Sequence, residues 1–231
     1  MSERSRRITE RNRLGRHIEH DERSKGFRVA KVAGALTSAQ YTRHCAPFDQ
    51  GDLGSCTGNA MAGVLMTDPF WTTGRLLTES DAVRLYGEAT HLDSIHGAYP
   101  PEDTGSSGLA VAKAAKKEGW IPSYDHAFGL DDLLHGLAQR PGLLGIYWYT
   151  SFDTPHSTGE CPLSPTATVR GGHEVQMFRL DVEQKRVWCY QSWGPTWGGL
   201  GNGTFWFSFD TLTQLLAQHG DATFPAVPKT A

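Results

Sequence analysis

The sequence predicts an α+β fold whose two lobes meet at a cleft. Segments with helical patterning fill roughly the first 140 residues, and segments rich in β-branched and aromatic residues follow. Such segregation marks α+β rather than alternating α/β architecture. The length, 231 residues, is enough for one sizeable core or for two small lobes sharing an interface. With 39% hydrophobic and 20% charged residues, the composition is that of an ordinary globular chain.

The elements follow in order. Residues 1–25 read as a charged lead-in, helical at best. "FDQGDLGSC" (48–56) is a turn-rich loop, and 56–67 follows as a helix with Ala60, Met61, Val64 and Leu65 in neighbouring turns. A second helix spans 80–90, with Ser80 and Asp81 as cap candidates. The Pro-, Gly- and Ser-rich stretch after it is loop. "LAVAKAAKKEG" (109–119) is a strong helix former ending in glycine, and "LDDLLHGLAQRPG" is a helix stopped by Pro141 and Gly142. Strands are expected at 143–152, 173–182, 186–193 and 203–209, and a short helix follows at 210–220.

Charge excludes several classes of function. The net charge of −3 and pI near 6.4 do not describe a nucleic-acid or membrane surface. Residues 1–32 carry ten Lys/Arg against five Asp/Glu, leaving −8 on the rest; such a basic arm reads as a solvated tail. No apolar run approaches the roughly 20 residues that span a bilayer, and the N-terminus lacks the apolar centre of a secretory signal. A cytoplasmic, reduced protein is therefore expected, with Cys45, Cys161 and Cys189 as small buried or half-buried apolar residues. His91 and His96 have the wrong spacing for one helical face, so no metal site is expected. No Walker or dinucleotide fingerprint calls for a cofactor.

Cys56 is the exception among the cysteines. A thiol at a helix start meets unsatisfied N–H groups and the positive end of the helix dipole, and both favour the thiolate. A nucleophilic cysteine also needs a histidine and a group to orient that histidine. Gln50, six residues earlier, has a side-chain amide able to donate to the oxygen of an attacked carbonyl, alongside the Cys56 backbone N–H. Downstream, "GGHEVQMF" opens with His173 in a strand pattern, and "YQSWGPTWGGLGNG" starts 17 residues after it.

With these three stretches in this order, the sequence resembles the papain-like cysteine peptidases over about residues 40–210. The matching pieces are Gln50, "GSC" ending at Cys56, "GHEV" beginning at Gly172, and "SWGPTWG" from Ser192 to Gly198. The resemblance implies a papain-like two-lobe fold, with a helical lobe over about 45–140 and an antiparallel β lobe over about 141–225. Within one domain of residues 26–231 the cleft would lie between them, preceded by the arm of 1–25. It implies Cys56 as nucleophile, His173 as base and later acid, and Gln50 as oxyanion donor. Trp193 would shield the bond that orients the histidine, with Trp197 packed near it. Gly105 and Ser106 fall where the family hydrogen-bonds substrate backbone. The implied activity is hydrolysis of a peptide or protein substrate through a thioester.

The chain departs from the family pattern at Gln191, where the family has asparagine. Glutamine carries the same amide on one more methylene, so it orients His173 only if the backbone absorbs the extra length. Leu53 and Thr57 replace the family's usual cysteine and aromatic residue, so a familiar extracellular disulfide is absent. With no long propeptide ahead of the loop, either the enzyme is made active or the basic arm covers the cleft. A bacterial cytoplasm or a phage-encoded protein suits these features. Two alternatives stand beside the peptidase: an amidase or acyltransferase using the same thioester, and a binding protein whose cleft has decayed at Gln191.

Overall fold

In a computed structural model, the structure describes residues 13–20 and 24–228. Three helices precede most of the sheet: α1 (Cys56–Leu65), α2 (Glu79–Thr90) and α3 (Gly108–Lys117). α1 is buried along its whole length. Its Met61, Val64 and Leu65 pack with Ala82 and Leu85 of α2 and Val111 of α3 into one core. Thr78, rather than Ser80, caps α2: the Asp81 carboxylate accepts from the Thr78 amide at 2.8 Å and from its hydroxyl at 2.9 Å. α3 is capped by the Ser107 hydroxyl, which accepts from the Ala110 amide at 3.0 Å.

The sheet is antiparallel and has seven strands: β1 (Ala39–Gln40), β2 (Tyr124–Ala127), β3 (Gly142–Tyr149), β4 (Val169–Asp181), β5 (Arg186–Tyr190), β6 (Thr204–Ser208) and β7 (Asp221–Pro225). Their order is β2-β7-β3-β4-β5-β6, with β1 beside the far end of β4. Helices α4 (Leu130–Leu137) and α5 (Phe209–Ala217) lie against it. Leu133, Leu137, Leu212 and Leu215 join Trp148, Phe205 and Phe207 in a second core.

The architecture is the α+β arrangement that the sequence predicts, with two differences. The two cores interleave along the chain instead of changing over near 140: Ala127, Leu133, Leu134 and Leu137 bury into the sheet's core, whereas Ile121 and Leu143 join the helical one. Strands β2 and β7 were not legible in the sequence, and they pair with each other from Tyr124–Pro225 to Ala127–Ala222. All four cysteines are free, with Cys161 and Cys189 buried in the sheet's core and Cys45 half-buried. Among the described residues, no helix is long and apolar enough to cross a membrane, and no group of His, Cys, Asp or Glu is arranged to hold a metal ion.

The close approach of α1 to α2 depends on Gly58. A Cβ there would run into the Ala82 carbonyl oxygen and lie 2.9 Å from the Tyr86 amide, so the helices would have to separate. Gly58→Ala is expected to destabilise the protein by about 1–3 kcal/mol, read as a lower midpoint in urea unfolding with an unchanged slope.

Candidate active site

The loop ahead of α1 places Cys56 as the first residue of the helix, fully buried. Ser55 occupies the N-cap without capping; its hydroxyl donates instead to Asn59 Oδ1 at 2.9 Å, and no acidic residue stands in the first turn. The positive end of α1 is thus left to the thiol. Backbone N–H groups of Glu174, Gly15 and Thr57 face the sulfur. The Glu174 contact brings the thiol against strand β4, one residue from His173.

His173 is fully buried on β4, opposite Ile146 of β3. Its Nε2 lies 2.5 Å from Gln191 Oε1. The same oxygen accepts the Ser192 amide at 2.9 Å, which identifies it as the carbonyl end of the amide. Nε2 therefore carries the ring proton and donates it, and Nδ1 keeps its lone pair. Nδ1 is buried and has no hydrogen-bond partner, the state a base needs before it takes a proton. The extra methylene of Gln191 is absorbed, since its oxygen reaches both the imidazole and its neighbour's amide. Trp193 stacks on the His173 ring, with centroids 5.1 Å apart and planes at 29°, and Trp197 meets Trp193 edge-on at 5.4 Å. Trp148 packs perpendicular to both rings, 5.1 Å from His173 and 5.2 Å from Trp193 between centroids. Sequence reasoning missed Trp148, whose only signal was its place in a strand rich in aromatics.

Gln50 is 5% exposed. Its Nε2 donates to the carbonyls of Leu53 at 2.7 Å and Arg13 at 3.0 Å, while its Oε1 accepts the Ser192 hydroxyl at 2.5 Å. Ser192 thus touches both amides, the one beside His173 and the one expected to bind an oxyanion. Backbone bonds fix this link across the lobes: the Gln50 amide donates to the Ser192 carbonyl at 2.9 Å, and the Gly194 amide to that of Phe48 at 2.9 Å.

Residues 13–17 run through the cleft. Arg16 N–H donates to the Gly172 carbonyl at 3.0 Å, Ser106 N–H to that of Gly15 at 2.8 Å, and His17 N–H to that of Ser106 at 2.7 Å. Gly105 lies against the same stretch, since a Cβ on it would collide with the Gly15 carbonyl. Gly172 is equally necessary, because a side chain there would strike the Arg16 carbonyl oxygen. The expected solvated tail is thus, over its described part, a strap across the cleft: its backbone completes pairs that the cleft walls leave open. Residues 1–12 and 21–23, expected as charged lead-in, lie outside the described residues.

This burial changes the electrostatics expected of the pair. Loss of solvent pushes the Cys56 thiol up to about 12, against the pull of the surrounding N–H groups, and moves His173 from 6.5 down to about 4. With the strap in place both groups are neutral at pH 7, rather than thiolate and imidazolium. The Glu174 carboxyl, beside Asp221 in the interior, is raised by burial first and by that neighbour second.

This is the fold of the papain-like cysteine proteases. Xylellain, a cysteine protease from Xylella fastidiosa, superposes with a TM-score of 0.73 at 18% identity, over 95% of this chain and 98% of that one. Digestive procathepsin L 3 of the Tenebrio molitor larval midgut gives 0.63 at 14% identity over 97% and 79%. The bromelain protease from Ananas comosus, in complex with the E64 inhibitor, gives 0.54 at 13% over 82% and 99%. At such identities the likeness defines the fold. No protein-family model matches the sequence, and no curated protein matches it.

Two outcomes follow from the closed cleft. His173 is neutral when folded down to about pH 4, whereas in the unfolded chain it protonates near 6.5. Its contribution to stability is present above 6.5 and is lost as pH falls towards 4, by roughly 3 kcal/mol. The difference between wild-type and His173→Asn unfolding free energies measured from pH 7 to 4 reads this loss, since the opposing shift of Glu174 is carried by both proteins. Loosening the strap with Arg16→Ala is expected to speed iodoacetamide alkylation of Cys56 by about tenfold or more at pH 7, with mass spectrometry locating the adduct.

Proposed function

We propose that the chain is a cysteine peptidase held latent by its own N-terminal strap. The observation that carries this reading is the bond from His173 Nε2 to Gln191 Oε1, which leaves the Nδ1 lone pair free beside the strand that meets the thiol. With the strap displaced, solvent returns to the site and the helix N-terminus favours the thiolate. Proton transfer from Cys56 Sγ to His173 Nδ1 yields the thiolate and imidazolium. The sulfur attacks the peptide carbonyl carbon, and negative charge collects on its oxygen. Gln50 Nε2, which now donates to the Arg13 carbonyl, and the Cys56 backbone N–H receive that charge.

Collapse breaks the C–N bond, and His173 hands its proton to the departing amine. A water, deprotonated by the same imidazole, then hydrolyses the thioester and frees the thiol. Gln191 holds the ring in plane through both proton transfers, Trp193 keeps water from that bond, and Gly105 and Ser106 supply the wall that pairs with substrate backbone. The satisfied Gln191 amide oxygen supports a working pair over a decayed cleft, and peptide-shaped pairing along residues 13–17 supports a peptide substrate.

Hydrolysis of a fluorogenic peptide library tests the reading. Cys56→Ser and His173→Ala are expected to abolish turnover, and loss of none of it overturns the assignment. Gln50→Ala is expected to lower kcat about 10²–10³-fold. Gln191→Ala is expected to cost about a hundredfold, with Gln191→Asn retaining more activity than Gln191→Ala.

A further inference from the structure

Glu174 is a buried acid in the middle of a sheet, and its Oε2 has no hydrogen-bond partner. It sits in a row set by strand register: Glu174 of β4 is opposite Gly145 of β3, and Gly145 is opposite Asp221 of β7. The row therefore reads carboxyl, gap, carboxyl. The gap is necessary, because a Cβ on Gly145 would fall 2.7 Å from Asp221 Oδ1 and 2.8 Å from Glu174 Oε2, and closer still to Arg16 Nε.

Arg16 of the strap fills this space. Its guanidinium is bonded to Asp221 through Nη2, donates to the His219 carbonyl at 3.1 Å and lies 3.8 Å from Glu174 Oε2. Both the Arg16 and Glu174 side chains are 1% exposed. His20 adds a contact to the other Asp221 oxygen at 3.8 Å. The strap enters the seat on backbone bonds that any peptide can make, to Gly172 and Ser106, and the Arg16 guanidinium is the group that fills it.

We propose that this seat is the specificity pocket of the cleft and takes an arginine side chain of the peptide substrate, with Glu174 and Asp221 as the selecting residues. This rests on the peptidase reading for its substrate, though not for its binding chemistry. The three strands that form the row are independent of the strap, so the pocket outlasts the strap's departure. Once Arg16 leaves, two interior carboxyl groups lack their cation. A neutral side chain entering above Gly145 leaves them unpaired, which is costly, whereas a guanidinium restores planar, charge-assisted bonding. Discrimination thus comes from a penalty on the wrong residue as much as from attraction to the right one. The strap is latent for the same reason, since it presents the group the pocket selects.

The test uses the full chain with Arg16→Ala, which empties the seat and leaves Cys56, His173, Gln191 and Gln50 in place. Peptidyl chloromethyl ketones bearing arginine, or its uncharged isostere citrulline, at each of three residues ahead of the reactive group are timed in alkylating Cys56. At one position arginine is expected to react about tenfold faster or more, and adding Gly145→Val is expected to bring the ratio near one. Equal rates at every position overturn the pocket. The same peptides without the reactive group are titrated by calorimetry against Arg16→Ala carrying Cys56→Ala. Tighter binding of an arginine peptide upholds the pocket even if Cys56 is never alkylated, an outcome that counts against the peptidase alone. Equal binding there overturns it. Arg16→Gln, which keeps most of the stem, takes the place of Arg16→Ala if circular dichroism finds the latter unfolded.

Discussion

The short antiparallel pairing between residues 48–50 and 192–194 is the constraint on which the site depends. It joins the loop that leads into α1 to the segment that leaves β5, through the Gln50 amide, the Gly194 amide and the Ser192 side chain. Cys56 follows the first segment and Gln191 immediately precedes the second. A slip of one residue between the lobes would move the Gln50 amide, the Gln191 oxygen and the helix start out of register together, because in extended backbone a single step turns every side chain to the opposite face.

The chemistry of the cleft is a contest between burial and dipoles. Three backbone N–H groups and an uncapped helix start pull the sulfur towards ionisation, and complete loss of solvent pushes it back. With residues 13–17 in place desolvation wins, as it does for the imidazole. The balance belongs to the closed cleft, because part of what excludes water is the chain's own strap. Closure of the cleft by residues 13–17 is an electrostatic condition as well as a steric one.

The residues with local signals were the ones legible in the sequence. Cys56 follows a glycine-bearing turn and opens an apolar helix, and His173 precedes Val175, Met177 and Phe178 in a strand pattern, although the strand itself begins earlier, at Val169. Gln50 and Gln191 stand at fixed offsets from recognisable neighbours. The structure brings Gln191 to His173 despite the longer side chain, a geometric outcome that no spacing encodes. What was not legible depends on partners distant in sequence. β2 reads "YDHA" and β7 ends on proline, so neither shows alternation, and they are strands because each pairs with the other. Glu174 offered a hint, as an acidic side chain among the apolar residues of a strand asks for a polar partner. Its neighbour, Arg16, comes from a segment with no periodicity, placed by backbone bonds between glycine-lined walls. Helix α4 was found in sequence but assigned to the wrong lobe, since periodicity gives a helix its apolar face without saying which core receives it.

The clamp around His173 has an optical consequence. The ring lies with its face on Trp193 and perpendicular to Trp148, each at 5.1 Å between centroids. When the imidazole gains its proton, a cation arrives over the face of Trp193, within cation–π range, and beside Trp148. The intrinsic emission of those tryptophans therefore carries the protonation history of the dyad, and opening of the cleft is observable in the unlabelled protein on the timescale of stopped flow.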